Sequence, residues 1–369
     1  MSRKKLLPAL VTSALLVAAA ASAFERNPGG ETDAFGRWGL GARAEALGRA
    51  YAALADDASA AYWNPAGLAF MERTELAFAY GLPFAEVDDL NVGNVVLAKP
   101  LLYSMGEGAG GVDSLGTLAA ALGYRRAGGI PEANENGPTG RTFADTDVEL
   151  YLAYAHTLGE AGAFGLTLKS ITRDVGDYSD SGFGIDAGLS YEALAGLRLG
   201  AVLRNIIAPN YRLHAIKDAP PLTAELGASY DVFGYVAPTA EFEITREGFY
   251  DVGAGLEVTP VPYVALRAGY YTADERLRAG LGFYLGDFAF DYALRFGGPL
   301  GDCHLASVSF LLGGPPESSE FIIPEEEYIE YEEEEEEETP GEEPPAEPET
   351  PEPGIPGLEV PEAEPGEGP

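Results

Sequence analysis

The sequence predicts an all-β fold, a 14-stranded antiparallel transmembrane β-barrel with a short N-terminal helical hatch or plug. Three observations predict it. From Glu75 onward the chain is a succession of short segments in which apolar and polar residues alternate, and the connections between these segments alternate between short and long. The chain also begins with the pattern of an export signal. Strands of about 10 residues with one apolar side are typical of outer-membrane barrels.

The first 23 residues have the pattern of a cleavable signal peptide. Arg3, Lys4 and Lys5 precede an apolar run over residues 6–21, and Ala21-Ser22-Ala23 is a small-x-small cleavage site. The alternative is a transmembrane anchor. It is disfavoured because the run is shorter than the ~20 apolar residues that a helix needs to span a bilayer.

The segment before the first strand has helical periodicity. Apolar residues recur there at three- and four-residue spacing: Leu40, Ala44, Leu47, Tyr51 and Leu54. Asp56 and Asp57 are expected to end this amphipathic helix. Ser59 is expected to cap a second short helix that ends before Asn64-Pro65, because the residue before a proline disfavours the helical region. A plug inside the barrel suits a wall too wide for side chains alone to fill.

The stretch from Gly41 to Ala69 resembles the N-terminal signature of the PorV/PorQ family of outer-membrane proteins, which belongs to the wider FadL-like superfamily of long-chain fatty-acid transporters. The hatch motif within it comprises Asp56, Asp57, Asn64, Pro65, Ala66 and Gly67. The resemblance implies a fourteen-stranded barrel with an N-terminal hatch. It also implies one of two tasks. FadL-like members take up hydrophobic small molecules, whereas PorV-like members act with type IX secretion machinery and carry secreted proteins at the cell surface.

Transport of a hydrophobic molecule would need an apolar pocket beside the hatch. The candidate hydrophobic ligand contacts are Leu47, Tyr51, Leu54, Tyr62, Trp63 and Phe70. The alternative for each of them is packing of the hatch against the barrel wall, which is what the apolar face of a helix usually does. The secretion alternative would instead use the longest external connections, 126–146 and 207–221, to hold exported proteins.

The predicted strands share period-2 alternation. They span residues 75–82, 91–100, 115–125, 147–158, 163–172, 182–192, 197–206, 222–232, 235–244, 249–258, 263–272, 277–285, 287–296 and 304–312. The connections after strands 4, 6, 8, 10 and 12 are very short, whereas those after strands 3, 5 and 7 are long. Short periplasmic turns and longer external loops are typical of these barrels. The Gly-rich stretch 101–114 is an exception, because it is too long for a tight turn.

One face of each strand carries the charges. In 249–258, for example, Asp251 and Glu257 alternate with an apolar face that includes Leu256. If the apolar faces contact lipid, the charged faces line the lumen. The predicted lumen charges are Arg198, Arg204, Glu225, Glu241, Glu243, Glu257, Arg267, Arg278, Asp291 and Arg295. Opposite charges on adjacent strands can pair across the ~5 Å between strands and stiffen the wall, or they can form a ligand site.

A soluble β-sandwich or propeller is the alternative fold, because alternation alone does not exclude it. Three features weigh against it. Glycines are frequent on the presumed lumen side, turn lengths alternate, and charges lie systematically opposite Leu, Phe and Tyr. A sandwich would bury that apolar face against a second sheet.

The tail carries 20 glutamates between Glu325 and Pro369 and neither lysine nor arginine, so it is expected to be disordered. The predicted organisation is a signal peptide at 1–23, a hatch segment at 24–74, a barrel at 75–312, and a linker with the acidic tail at 313–369. The predicted location is the bacterial outer membrane, with both termini in the periplasm because the strand number is even.

Several function classes are disfavoured. The formal net charge of −36 makes nucleic acid a poor partner. The single Cys303 and three scattered histidines indicate neither a disulfide framework nor a metal site, and no nucleophile motif accompanies them. We therefore predict a protein that is not an enzyme and has no catalytic residues, no metal and no cofactor. Its predicted partners are outer-membrane lipid and either hydrophobic small molecules or exported proteins.

Overall fold

The computed structural model describes residues 25–26, 38–104, 112–212, 219–298 and 300–313. The predicted signal peptide lies outside these residues, and so does the acidic tail beyond Gly313. The cleavage site and the disorder of the tail therefore stay predictions.

Fourteen antiparallel strands form a closed barrel, as the sequence predicts, and they are numbered β2 to β15 because a two-residue strand, β1 (Glu25–Arg26), precedes them. Their bounds are β2 Thr74–Leu82, β3 Leu90–Ser104, β4 Val112–Asn134, β5 Gly137–Leu158, β6 Gly162–Val175, β7 Tyr178–Leu194, β8 Leu197–Ile207, β9 Thr223–Tyr230, β10 Val236–Thr245, β11 Phe249–Val261, β12 Val264–Tyr271, β13 Arg276–Leu285, β14 Phe288–Arg295 and β15 Cys303–Leu312. Each strand pairs with its neighbours in the chain, and β15 pairs with β2 to close the barrel. Closure satisfies the backbone groups that an open edge would leave unpaired.

The two faces of the wall differ as the alternation predicts. On β5, Leu150 and Leu152 point outward and are 44% and 51% exposed, whereas Glu149 and Tyr151 point inward and are buried. The same alternation places Leu256 outside and Glu257 inside on β11. An apolar exterior around a polar interior is the arrangement that a lipid surrounding favours.

The hatch lies inside the barrel. It contains α1 (Ala42–Ala46), α2 (Ala60–Trp63) and a 3-10 helix (Pro65–Phe70). The helix α1 packs against β12–β15, and the 3-10 helix packs against β3–β7 on the other side of the lumen. No helix among the described residues is long and apolar enough to cross a membrane.

The first predicted helix is much shorter than its periodicity suggests. It ends at Ala46 instead of continuing to Leu54, because Gly48 and Arg49 both adopt a φ of 65°. This left-handed turn presses the backbone of Gly48 onto β12, where an added Cβ would lie 2.5 Å from the Tyr270 carbonyl oxygen. Contact with the wall therefore overrides the helical pattern.

The second helix starts and ends where the sequence predicts, with a different cap. Ser59 occupies the N-cap position, but its side chain caps no helical N–H group. Instead the Asp57 carboxylate accepts a hydrogen bond from the Ser59 backbone N–H at 2.9 Å. Asn64 is extended, with a φ of −154°, so α2 ends before Pro65.

The two ends of the barrel differ in their connections. At one end, which we call the short-turn end, short turns follow β5, β7, β9, β11 and β13. At the other end, the predicted loops 126–146 and 173–181 are largely strand, because β4–β5 and β6–β7 continue to tight turns at 135–136 and 176–177. Residues 128–144 form a two-stranded ribbon past the ends of β3 and β6, and we call this end the ribbon end.

The predicted exception at 101–114 has the same explanation. β3 continues through Ser104 and β4 begins at Val112, so strand pairing takes up most of the stretch. Residues 105–111 lie outside the described part of the chain.

The N-terminal side of the hatch lies at the ribbon end. A two-residue strand, β1 (Glu25–Arg26), pairs in parallel with Phe249 and Tyr250 at the start of β11. Leu312, by contrast, pairs with Thr74 at the short-turn end. The location of both chain termini in the periplasm stays a prediction, because residues 1–24 and 314–369 lie outside the described part of the chain.

Candidate functional site

The hatch rests on a row of inward-facing glycines in the wall. Gly200 pairs with Gly227, Gly227 with Glu241, and Glu241 with Gly253, across β8 to β11. We call these four residues the glycine row. A Cβ on Gly227 would lie 3.0 Å from the Ala53 nitrogen, and one on Gly253 would lie 2.6 Å from the carbonyl oxygen of Gly48. The missing side chains let the hatch backbone touch the wall directly.

Glu241 is the one member of the glycine row with a side chain, and that side chain binds the hatch backbone. Its carboxylate accepts hydrogen bonds from the N–H groups of Tyr51 and Ala52, at 3.0 and 2.7 Å. On the same strand, Thr239 donates its hydroxyl to the Ala50 carbonyl oxygen at 2.8 Å. Three consecutive hatch residues are thus fixed through their backbones.

Asn64 is the centre of the predicted hatch motif and is fully buried. Its side-chain amide donates to the carbonyl oxygens of Ala52, at 2.6 Å, and of Leu189 on β7, at 3.1 Å. Its side-chain oxygen accepts from the Ala66 N–H at 3.1 Å and caps the 3-10 helix. Pro65 follows as the first helical residue, where its missing N–H group costs nothing. The motif therefore joins two parts of the hatch to each other and to the wall.

The acidic pair of the motif surrounds Arg43. The Arg43 guanidinium donates to both Glu257 oxygens at 2.9 Å and to Asp56 at 2.6 Å. It also donates to the Tyr51 hydroxyl at 3.1 Å, and that hydroxyl in turn donates to Asp57. Burial, together with the carboxylate of Asp57, raises the pKa of Tyr51 well above its ordinary value despite Arg43. Tyr51 therefore stays a hydrogen-bond donor at neutral pH.

A buried ion pair joins α1 to the wall. Arg278 on β13 donates to Glu45 at 3.1 Å, and Arg295 lies 3.7 Å away; Glu45 is 2% exposed. Burial alone would raise the pKa of Glu45. Arg278, Arg295 and Arg49 outweigh burial and lower the pKa below its ordinary value, so the carboxylate stays charged.

The other predicted lumen charges also lie inside the barrel with partners in the protein. Arg204 pairs with Glu225 at 2.9 Å. Arg267 bonds Glu257 and Asp291, each at 2.6 Å. Glu243 accepts from the Tyr271 hydroxyl at 2.7 Å, and Arg198 lies 3.9 Å from Asp56 with its guanidinium over the Phe70 ring. These charges join strand to strand and wall to hatch.

Three of the predicted hydrophobic contacts form an aromatic cluster with a wall residue, Tyr151. The ring centroids of Tyr62 and Trp63 are 5.0 Å apart, those of Tyr51 and Trp63 are 6.2 Å apart, and those of Tyr62 and Tyr151 are 5.8 Å apart. The Arg204 guanidinium lies 4.5 Å from the Tyr62 ring centroid. We call Tyr51, Tyr62, Trp63 and Tyr151 the aromatic cluster. It packs the hatch against β3–β5, so a ligand would reach it only after the hatch shifts.

The remaining hydrophobic candidates lie elsewhere. Leu47 is fully buried in the same core, whereas Leu54 and Phe70 are only partly buried. Leu54 lines a cavity of about 360 Å³ between the hatch and β7–β11, near the short-turn end. Charged side chains of Arg43, Asp56, Arg198 and Glu257 share this lining. The cavity is therefore mixed in character and differs from the apolar pocket that the sequence suggests.

Several wall residues that hold the hatch were missed. Glu75 accepts from the Ala58 N–H at 3.0 Å, and Thr167 donates to the Ala61 carbonyl oxygen at 2.9 Å. The alternation marks both wall residues as inward-facing. It does not indicate that a hatch backbone atom lies opposite them. Within the described ranges, no group of three or more His, Cys, Asp and Glu side chains is arranged to hold a metal ion.

The fold is similar to that of known hydrocarbon channels and transporters. The Pseudomonas putida toluene transporter TodX superposes with a TM-score of 0.51 at 11% identity, over 75% of this chain and 99% of that one. CymD, a monoaromatic hydrocarbon channel, gives 0.53 at 12% identity, over 75% and 99%. A Pseudomonas aeruginosa FadL homologue gives 0.50 at 11% identity, over 72% and 96%. Identities this low establish a common fold and nothing further.

Sequence comparison adds no relative. No protein-family model matches the chain, and no curated protein matches it. The resemblance of residues 41–69 to the PorV/PorQ signature therefore stays a prediction.

Proposed function

We propose that this protein is a FadL-like, non-enzymatic outer-membrane channel that passes hydrophobic small molecules. The observation that carries the proposal is a plug with an aromatic interior inside a closed barrel with an apolar exterior. Tyr51, Tyr62 and Trp63 offer apolar ring surface within the lumen, and the fold neighbours are named as hydrocarbon channels. A hydrophobic solute gains from leaving water for such a surface.

The aromatic cluster suggests a monoaromatic hydrocarbon as the probe. Aromatic rings prefer edge-to-face contacts with centroids about 4.5–7 Å apart, and the cluster already packs in this way, with interplanar angles of 79–83°. A small aromatic solute can take the place of one ring in such a cluster. Tyr62, which at 9% exposure is the least deeply buried member of the cluster, is the one through which a solute would enter.

Tryptophan fluorescence tests this proposal directly. The chain has two tryptophans, Trp38 and Trp63, and both lie in the hatch segment. In a Trp38→Phe background, we expect toluene to change the emission of Trp63 in a saturable way, because it displaces a neighbouring ring. Tyr62→Ala should raise the apparent Kd several-fold, whereas Tyr80→Ala, on the outer face of β2 with 59% exposure, should not. A response that only rises linearly, as in protein-free micelles, would contradict binding.

A second function has one observation in its favour. The ribbon of residues 128–144 extends past its neighbouring strands and offers a surface beyond the barrel, as a type IX shuttle holding exported proteins would need. We expect a variant with this ribbon shortened to a tight turn to lose co-purifying exported proteins if this function operates. Toluene binding should be unchanged in that variant. An unaltered set of exported proteins would remove the support for this function.

A further inference from the structure

A single hatch segment separates two polar regions on one side of the lumen. Residues 48–53 lie on the glycine row, and Ala53 also lines the 360 Å³ cavity. Arg198 and Ser229 belong to that cavity, and each lies two residues from the glycine row toward the short-turn end. The cavity therefore begins about 7 Å from the row, given the rise of a strand.

Acidic side chains lie on the opposite side of the same segment. Glu225, Glu243 and Asp251 each lie two residues from the glycine row toward the ribbon end, on β9, β10 and β11. All three strands present these residues inward. We call these three residues the acid layer. One chain thickness of hatch thus separates the acid layer from the cavity.

Two residues of β10 hold residues 48–53, the hatch segment that separates the cavity from the acid layer. Glu241 accepts from two of its N–H groups, and Thr239 donates to one of its carbonyl oxygens. The other members of the glycine row have no side chain with which to grip it. Within the hatch, Tyr51 packs against Trp63 in the aromatic cluster, and Asn64 donates to the Ala52 carbonyl oxygen. Glu241 and Thr239 supply the hydrogen bonds that join the backbone of residues 50–52 to β10 of the wall.

We propose that this side of the barrel is a second, water-filled route for small cations, opened when residues 48–53 lift from the glycine row and latched by Glu241. The excess of acidic over basic side chains along this route favours cations over anions. Around the cavity, Asp56, Glu192, Asp231 and Glu257 outnumber Arg43 and Arg198. On the ribbon-end side of the segment, the three residues of the acid layer outnumber Arg204, which pairs with Glu225, and Arg49, which lies over the Tyr271 ring beside Glu243. Excess negative charge in a confined space concentrates cations.

Conductance across planar lipid bilayers in KCl tests the route with the mature, full-length protein. The wild type should show rare, small openings, and Glu241→Ala should raise the time-averaged conductance about tenfold, which corresponds to ~1.4 kcal/mol. Glu241→Gln should lie between them, because an amide oxygen still accepts hydrogen bonds. Glu160→Ala, an exposed acid on a short turn, is the matched control. A KCl gradient should give a reversal potential of the sign for cation selectivity.

A cysteine lock provides a test that does not depend on Glu241. A Cβ on Gly227 would lie 3.4 Å from that of Ala53, close to the ~3.8 Å typical of disulfides. In a Cys303→Ser background, oxidising Ala53→Cys with Gly227→Cys should abolish the openings, and a reductant should restore them. Gly227→Cys alone should not respond. Unchanged conductance in heat-modifiable Glu241→Ala protein, openings that persist in the oxidised pair, or anion selectivity would each overturn the proposal.

Discussion

Substituting alanine for Gly200 is expected to lift the hatch from the barrel wall and to shift the tryptophan emission of the protein to longer wavelength. A Cβ at Gly200 would overlap the carbonyl group of Ala52. The strand cannot retreat, because β8 is hydrogen-bonded to β7 on one side and to β9 on the other. Overpacking of this kind costs about 1–3 kcal/mol, and the cost falls on the state in which the hatch is docked on the wall.

The matched control is another inward-facing glycine with room beside it. A Cβ on Gly123 would lie 3.5 Å from the Glu149 carboxylate, an ordinary contact, and no hatch backbone lies there. Gly123→Ala should therefore keep the wild-type emission maximum and the wild-type urea midpoint in micelles. Because Trp38 and Trp63 both belong to the hatch segment, emission reports on the hatch and not on the barrel. Equal behaviour of the two alanine variants would refute direct backbone docking.

The barrel could be predicted because its surroundings impose a strict pattern. Each strand segment that faces lipid must alternate, and every predicted strand has its counterpart in the structure. The alternation of apolar and polar residues stops where the strands extend beyond the lipid. Residues 126–146 contain Gly, Pro and Asn and no alternation, so they resemble a loop, yet they pair from Ala127 with Asp145 to Asn134 with Gly137. Ribbon pairing outside the membrane does not need a regular apolar face.

The hatch was harder to predict for a different reason. Leu40, Ala44 and Leu47 have helical spacing and are buried, but the chain leaves the helix at Gly48 to lie on the glycine row. Periodicity reports which residues are buried and not which surface buries them. The relevant signal was the frequent glycine on the lumen side, whose purpose becomes clear only when a second backbone lies against it.

The pairing of charges depends on geometry that local sequence does not encode. Arg278 and Arg295 could be placed in the lumen from alternation alone. Their partner Glu45 lies more than 200 positions away in the chain. The path of the hatch determines which of its residues lies beside which lumen charge. A shift of the hatch by one helical turn would therefore give these arginines other partners. Placement of the charges on the inner face was therefore predictable, and their partners were not.

The buried pair of Arg278 and Glu45 should be the most sensitive polar contact in the protein. Arg278→Met removes the guanidinium but keeps much of its volume, and it leaves the buried Glu45 carboxylate without its hydrogen-bonded partner, with the charges of Arg295, at 3.7 Å, and Arg49 remaining. Removing one partner of a buried pair costs about 3–5 kcal/mol. We expect the urea midpoint of the tryptophan emission to fall accordingly, with Trp38 and Trp63 both becoming exposed.

The cause of that loss can be separated from a simple loss of packing. Adding Glu45→Leu to Arg278→Met should recover much of the stability, because no carboxylate is then left at position 45 without its partner. Asp274, which also accepts from Arg278, keeps Arg295 at 3.3 Å and is partly exposed in both variants. Arg141→Met is the matched control: Arg141 pairs with Glu132 at 2.7 Å on the exposed ribbon, with side-chain exposures of 74% and 36%. Such a pair contributes less than about 1 kcal/mol. If the double variant were no more stable than Arg278→Met alone, the stranded charge would not be the cause, and α1 would be held by packing against β13 and β14.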